Sequence, residues 1–332
     1  MILRKPSYYD SFCCIASACP DSCCHLWEVE LEPEVAERYR AMEGELGQTL
    51  RSSIYQEDGR YFFANVEGRC PMWRRDGLCR LQVELGEEAL SHVCREFPRL
   101  RQDYGEFLEL GLEMSCPEAA RLMLSCPDWI IESAELSSGE PGDYDRDVMD
   151  ILLRTRPRML ELLGDERLSV PQALAAALLY AYHVQEEIDG GERREFSARE
   201  AVAAAEKWAA GGDVRAVLEF YTGLEILTDR WPRRLASPDP GPWRQELRTL
   251  ARYGVWRYYL QAVSDYDLAG RMKMVILHCL VVRFLGGDVT ETAALYAKEI
   301  ENNAENLDAI LDAAYAEPSL TDSRLLDLLL HG

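Results

Sequence analysis

Ten of the eleven cysteines in this 332-residue chain lie at or before Cys126, and five of them crowd into "CCIASACPDSCC", residues 13 to 24. No other feature constrains the fold so strongly. Cysteine is scarce in ordinary soluble chains, so this density needs a chemical reason: disulfides, a catalytic thiol or a metal. The N-terminus "MILRKPSYYD" has a basic pair but neither an apolar core nor a small-residue cleavage site, so it does not read as a secretory signal. No run of about 18 apolar residues offers a membrane span. The expected compartment is the cytoplasm, where thiols are kept reduced and clustered cysteines serve metals more often than disulfides.

Charge narrows the partners. The formal net charge of −22 is spread over the whole chain, and nucleic-acid binding needs a basic footprint that is missing. A basic substrate or partner fits better, beside the plainer role of an acidic surface in solubility.

The cysteine asymmetry divides the chain into a cysteine-rich region, 1–130, and a second region, 140–332, with "SSGEPGD" between them as the linker candidate. In the first, "EPEVAERYRAMEGELGQTLRSSI" (32–54) reads as one amphipathic helix, and "GEEALSHVCREF" (86–97) as another, stopped by Pro98. "RYFFANVEG" (60–68) and "EFLELGLEM" (106–114) read as strands, the latter half-buried by its alternation. A further helix begins at Pro117. The second region carries helical apolar spacing nearly throughout, broken at "DGG", "AGGD", "SPDPGP" and "GGD". The expected fold is mainly α: a small cysteine-rich α+β metal-binding region followed by a bundle of roughly eight helices.

Within the first region the cysteines run Cys14-x4-Cys19-x3-Cys23-Cys24, then Cys70, Cys79, Cys94 and Cys116. Thiolates are soft ligands suited to zinc or to iron–sulfur clusters. Paired C-x2-C knuckles of a zinc ribbon are absent, as is the C-x-x-C pair of a thiol redox protein. The irregular spacing leans toward a cluster and leaves zinc open. Glu118 is a candidate acid or base, with a favourable first-turn carboxylate as its plainer role. Arg95 and Arg99, flanking Pro98, are candidates to hold a cofactor carboxylate bidentately. His25 and His92 stand near cysteines and read more simply as hydrogen-bonding neighbours. Tyr8, Tyr9 and Trp27 are candidates to wall the centre, or core aromatics.

Three blocks carry a resemblance. Phe12, Cys14, Ile15, Ser17, Ala18, Cys19, Asp21, Ser22, Cys23, Cys24 and Trp27 form the first; "RCPMWRRDGLCRLQVELGEEALSHVCREFPR" (69–99) and "LELGLEMSCPEAARLML" (108–124) are the others. Together they resemble the flagellin lysine-N-methylase family, over about the first 125 residues. The resemblance implies an iron–sulfur cluster, 4Fe-4S in kind, and methylation of flagellin lysine ε-amines from S-adenosylmethionine. It also places Cys14, Cys19, Cys23, Cys24, Cys70, Cys79, Cys94 and Cys116 at the family's cysteine positions, leaving Cys13, Cys126 and Cys279 outside them. Eight sulfurs exceed one four-cysteine site. No glycine-rich loop of an ordinary methyltransferase is present, so a metal centre is the expected cofactor anchor. The competing expectation is a zinc- or iron-stabilised scaffold without catalysis.

Overall fold

The computed structural model describes residues 1–25, 29–136 and 139–332. Trp27 lies outside the described residues. The N-terminal third contains β1 (Ile2–Pro6), β2 (Val29–Leu31), α1 (Pro33–Ala41), α2 (Gly44–Ser53), β3 (Ile54–Glu57), β4 (Arg60–Phe63), α3 (Arg80–Leu85), α4 (His92–Glu96), β5 (Arg99–Asp103), β6 (Phe107–Leu112), α5 (Pro117–Leu124) and β7 (Ile131–Glu135). The helices that follow are α6 (Arg146–Gly164), α7 (Val170–Ile188), α8 (Ala198–Trp208), α9 (Val214–Thr222), α10 (Arg230–Ala236), α11 (Gln245–Tyr258), α12 (Ala262–Asp265), α13 (Leu268–Leu285), α14 (Val289–Tyr296), α15 (Ala304–Ala316) and α16 (Asp322–Leu330). The protein is mainly α. Among the described residues no helix is long and apolar enough to cross a membrane.

Two sheets divide the strands. The larger has the order β5-β6-β1-β7, with β1 parallel to β6 and the outer pairs antiparallel. Leu3 stands opposite both Leu108 and Ala134. The smaller, β2-β4-β3, is antiparallel throughout and sets Phe63 between Val29 and Ile54.

The sheets belong to different cores. Phe107, Leu112 and Met114 join the large hydrophobic cluster built by α6, α7, α11 and α13. The small sheet packs with α1 and α2 around Tyr39, Leu50 and Phe63, in a second cluster that also takes in Cys70. Backbone at Gly139 runs against the β5–β6 turn so closely that a Cβ there would meet the Gly105 carbonyl at 2.4 Å.

Local structure departs from the expected elements where tertiary contacts intervene. The helix read over 32–54 is two helices, because Met42 and Glu43 take extended backbone and the chain restarts at Gly44 with a φ of +78°. The helix read over 86–97 is interrupted by extended backbone at Leu90 and Ser91, leaving only α4. Strand β6 is buried on both faces rather than half-buried: Glu109, on the polar side of the alternation, is only 2% exposed. The buried Arg156 guanidinium of α6 donates to both its oxygens, at 2.7 and 2.5 Å. The bundle has more and shorter helices than the eight expected. Residues Ala297–Glu301 leave α-geometry for a π-helical turn.

Candidate metal centre and adjoining cavity

Backbone pairing between distant segments gathers the thiols. His25 and Arg69 form an antiparallel bridge, and the Cys70 N–H donates to the Cys24 carbonyl at 2.8 Å. A second bridge joins Trp73 to Cys79, which is the N-cap of α3. Cys94 comes from α4, whose first N–H, on His92, donates to the Glu32 carboxylate at 2.7 Å and so ties the helix to the end of β2. His92 thus acts through its backbone.

Five thiols, those of Cys23, Cys24, Cys70, Cys79 and Cys94, form one electrostatically coupled group. The Cys24 thiol shares hydrogen bonds with Cys23 and Cys70; the first favours its thiolate, but the second and burial outweigh it and push Cys24 up to about 12. Its hydrogen bond with Cys24, and then burial, raise Cys23 strongly. Burial raises Cys79, and it pushes Cys94 up to about 11. On Cys79 the N-terminal amides of Gln82 and Leu81 act in the opposite direction. Burial first, and then repulsion from neighbouring thiolates, keep Cys79 and Cys94 protonated, and the hydrogen bond with Cys24 and burial do the same for Cys23. A bound metal reverses that balance by ionising its thiols outright.

Cys14, Cys19 and Cys116 form a second group: Cys116, N-cap of α5, feels Cys19 and then Cys14, and burial pushes it up to about 11. Cys19 in turn feels both Cys14 and Cys23, which links the two groups. The eight cysteines singled out from the sequence are therefore linked, each to at least one other, by electrostatic influence. Cys126 interacts instead with Tyr8, and Cys279 is buried on α13, donating to the Leu247 carbonyl at 3.4 Å. Among the described residues, no three His, Cys, Asp or Glu side chains stand at the spacing of a single-ion site. By donor chemistry the five-thiol group fits a thiolate-bound metal or cluster.

Against this group opens a cavity of about 480 Å³, walled by Cys23, Cys24, Cys79 and Cys94 on one side. Val29, Leu90, Val93, Phe97 and Leu307 make an apolar flank, and Glu113, Arg257, Glu301 and Asn302 the polar end. Glu301 accepts from the Tyr253 hydroxyl at 2.6 Å and lies 3.4 Å from His278 Nδ1. Burial opposes its charge, but His278, Arg257 and Tyr253 together hold its carboxyl below the ordinary value. Glu113 has the opposite balance: burial outweighs the help of Arg257, and its pKa is raised.

These four polar residues were not singled out from the sequence. The π turn is what delivers Glu301. It sends consecutive charged side chains in different directions: Lys298 donates to Asp21 of the cysteine loop at 2.8 Å, and Glu299 accepts from the Leu227 N–H at 2.8 Å. Burial opposes ionisation of Asp21, yet Lys298 holds its carboxyl below the ordinary value. One signal was available. Lys298 and Glu301 stand four residues after the buried Ala294 and Ala297, on positions where helical spacing calls for apolar residues.

The other residues picked from sequence lie elsewhere. Glu118 is paired bidentately with Arg121, at 2.8 and 2.6 Å, and borders a different cavity with Ile15, Pro20 and Asp21. Arg95 lies 3.6 Å from Glu96, and Arg99 sits over the Phe12 ring; neither lines the thiol cavity. His25 stands 4.0 Å from Asp21. Tyr8 is buried edge-on against Trp129 as a core aromatic.

Comparison with known proteins adds a second line. No family model matches the chain, and no solved structure does. The chain is 31% identical over 133 aligned positions to the flagellar biosynthetic protein FliU of Salmonella muenchen, covering 38% of this chain and 79% of that one. It is equally similar, over the same length, to proteins named lysine-N-methylase from Salmonella typhimurium and Salmonella choleraesuis, of which it spans 33%.

Proposed function

Because the chain belongs to the flagellin lysine-N-methylase family, we propose that it is a lysine N-methyltransferase that modifies flagellin, or a similar filament protein, in the cytoplasm. S-adenosylmethionine is the methyl donor, and a cysteine-held iron–sulfur cluster is the cofactor. The observation that carries this reading is the shared wall: the thiols, the buried Glu301 and the half-buried Glu113 and Arg257 face one cavity.

In this reading the ligands would be drawn from Cys23, Cys24, Cys70, Cys79 and Cys94, at most four of them for one cluster, with Cys14, Cys19 and Cys116 behind them. The cluster, when bound, would supply Lewis-acidic iron at the cavity wall. The chain's own residues do the rest. A lysine amine is charged at neutral pH and must lose its proton before it can accept a methyl group. Glu301, kept ionised by His278, Arg257 and Tyr253, draws the ammonium in by its charge, and the proton leaves to solvent before the transfer. The apolar flank excludes water from the transfer. The net charge of −22 favours encounter with a basic segment.

The test is co-expression with the flagellin of the same genome, read by intact mass, together with metal analysis of anaerobically purified enzyme. Mass increments of one methyl group at flagellin lysines, with iron and sulfide on the enzyme, are expected. Colourless zinc protein beside unmodified flagellin would instead establish the non-catalytic scaffold.

A further inference from the structure

The polar end of the thiol-lined cavity holds one cation and one anion, Arg257 and Glu113, that feel each other's charge but are joined by no salt bridge among the described residues. Arg257 Nη1 is buried and has no hydrogen-bond partner. Among the described residues no carboxylate reaches the Arg257 guanidinium within ion-pair distance, and its close neighbour is the Tyr258 ring, 5.3 Å away. Glu113 accepts only from Ser115, at 3.3 Å, and it too has no ion-pair partner among the described residues. Asn302 Nδ2, beside them, is buried without a partner. By contrast, both oxygens of Glu301 are already engaged, by Tyr253 and His278.

Buried charges are costly unless they are paired. A wall that keeps a guanidinium and a carboxylate apart, both facing one cavity, is preorganised for a ligand that brings the two opposite charges on adjacent atoms. An α-amino acid does so. A lysine side chain within a protein does not, since it offers an ammonium and no carboxylate.

We propose that Arg257 and Glu113 bind the α-amino-acid end of the methyl donor: Arg257 donates to its carboxylate, and the α-ammonium donates to Glu113. This rests on the reading that S-adenosylmethionine is the donor. The nucleoside lies along the apolar flank of Leu90, Val93, Phe97 and Leu307, in a cavity whose 480 Å³ falls in the range of small-ligand sites. Glu113, Arg257 and Glu301 together carry one net negative charge, which complements the single positive charge of the sulfonium donor.

Calorimetry on the anaerobically purified protein, with S-adenosylhomocysteine and 5′-methylthioadenosine as probes, tests the assignment. The second probe lacks the amino-acid end. Arg257→Gln and Glu113→Gln should each weaken S-adenosylhomocysteine by roughly ten- to a hundredfold, as lost charge-assisted hydrogen bonds do, and leave methylthioadenosine unchanged. Glu113→Gln is isosteric and keeps the test decisive if Arg257→Gln does not fold. Equal losses for both probes, or undiminished S-adenosylhomocysteine binding in the variants, would overturn the assignment while the donor reading stands. Wild-type protein that binds neither probe would remove the donor reading and this inference with it.

Discussion

Glu301 is the residue on which the proposed chemistry turns. Its folded pKa lies below the ordinary 4.5, so its stabilising contribution is complete above that value and is lost as pH falls through the lower, folded one. Wild-type melting temperature should therefore drop on acidification below pH 4.5 more steeply than that of Glu301→Gln, in thermal scans between about pH 3 and pH 5. Turnover of Glu301→Gln should fall by roughly ten- to a hundredfold, the range for a lost charge-assisted interaction. Glu118→Gln should be nearly as active as wild type, because that carboxylate is occupied by Arg121 outside the cavity. Steady-state rates on flagellin peptides check both. Among the thiols, Cys24→Ala removes the sulfur that bonds Cys23 and Cys70 and should abolish metal loading. Cys279→Ala should retain full metal content, since that sulfur is buried on α13. Iron per chain after anaerobic purification separates the two.

Elements were legible in the sequence where a local rule governs them. Pro117 opens α5 and the alternation of 106–114 gives β6. Three features escaped because no local rule encodes them. Met42 and Glu43 fit a helical pattern, yet both take extended backbone ahead of the positive φ at Gly44. The π turn at Ala297–Glu301 is stabilised by what its side chains reach, Asp21 and Tyr253 among them. The polar face of β6 is buried because α6 supplies Arg156 to Glu109. That pair joins the large sheet to the bundle, beside the Trp256 indole N–H donating to the Leu110 carbonyl at 3.0 Å. Breaking it with Glu109→Gln leaves a buried guanidinium without its counter-charge and should cost about 3–5 kcal/mol, measurable by urea unfolding. An unchanged midpoint would mean that water replaces the lost charge.

For the whole molecule, the two cores differ in what they depend on. The large sheet shares its core with the bundle, while the small sheet, with α1 and α2, packs on a cluster that includes Cys70 with Cys24 and Cys79 against it. Closing the long loops between the cysteine segments around a metal should contribute to that second core. Anaerobic removal of the metal should therefore raise hydrogen exchange across β2, β3 and β4 and leave β6 and α13 protected. Equal loss of protection in both would show that the metal supports the entire fold. The candidate site divides in the same manner. Sequence by itself determined the mainly helical class, the cysteine-rich first third and the family, because apolar periodicity and thiol count are properties of neighbouring residues. It could not determine that Glu113, Arg257 and Glu301 meet the thiols at one cavity. Those residues come from the end of β6, from α11 and from a π turn near the C-terminus. Only packing of the bundle against the cysteine loops brings them together, and only burial there gives their charges chemical consequence.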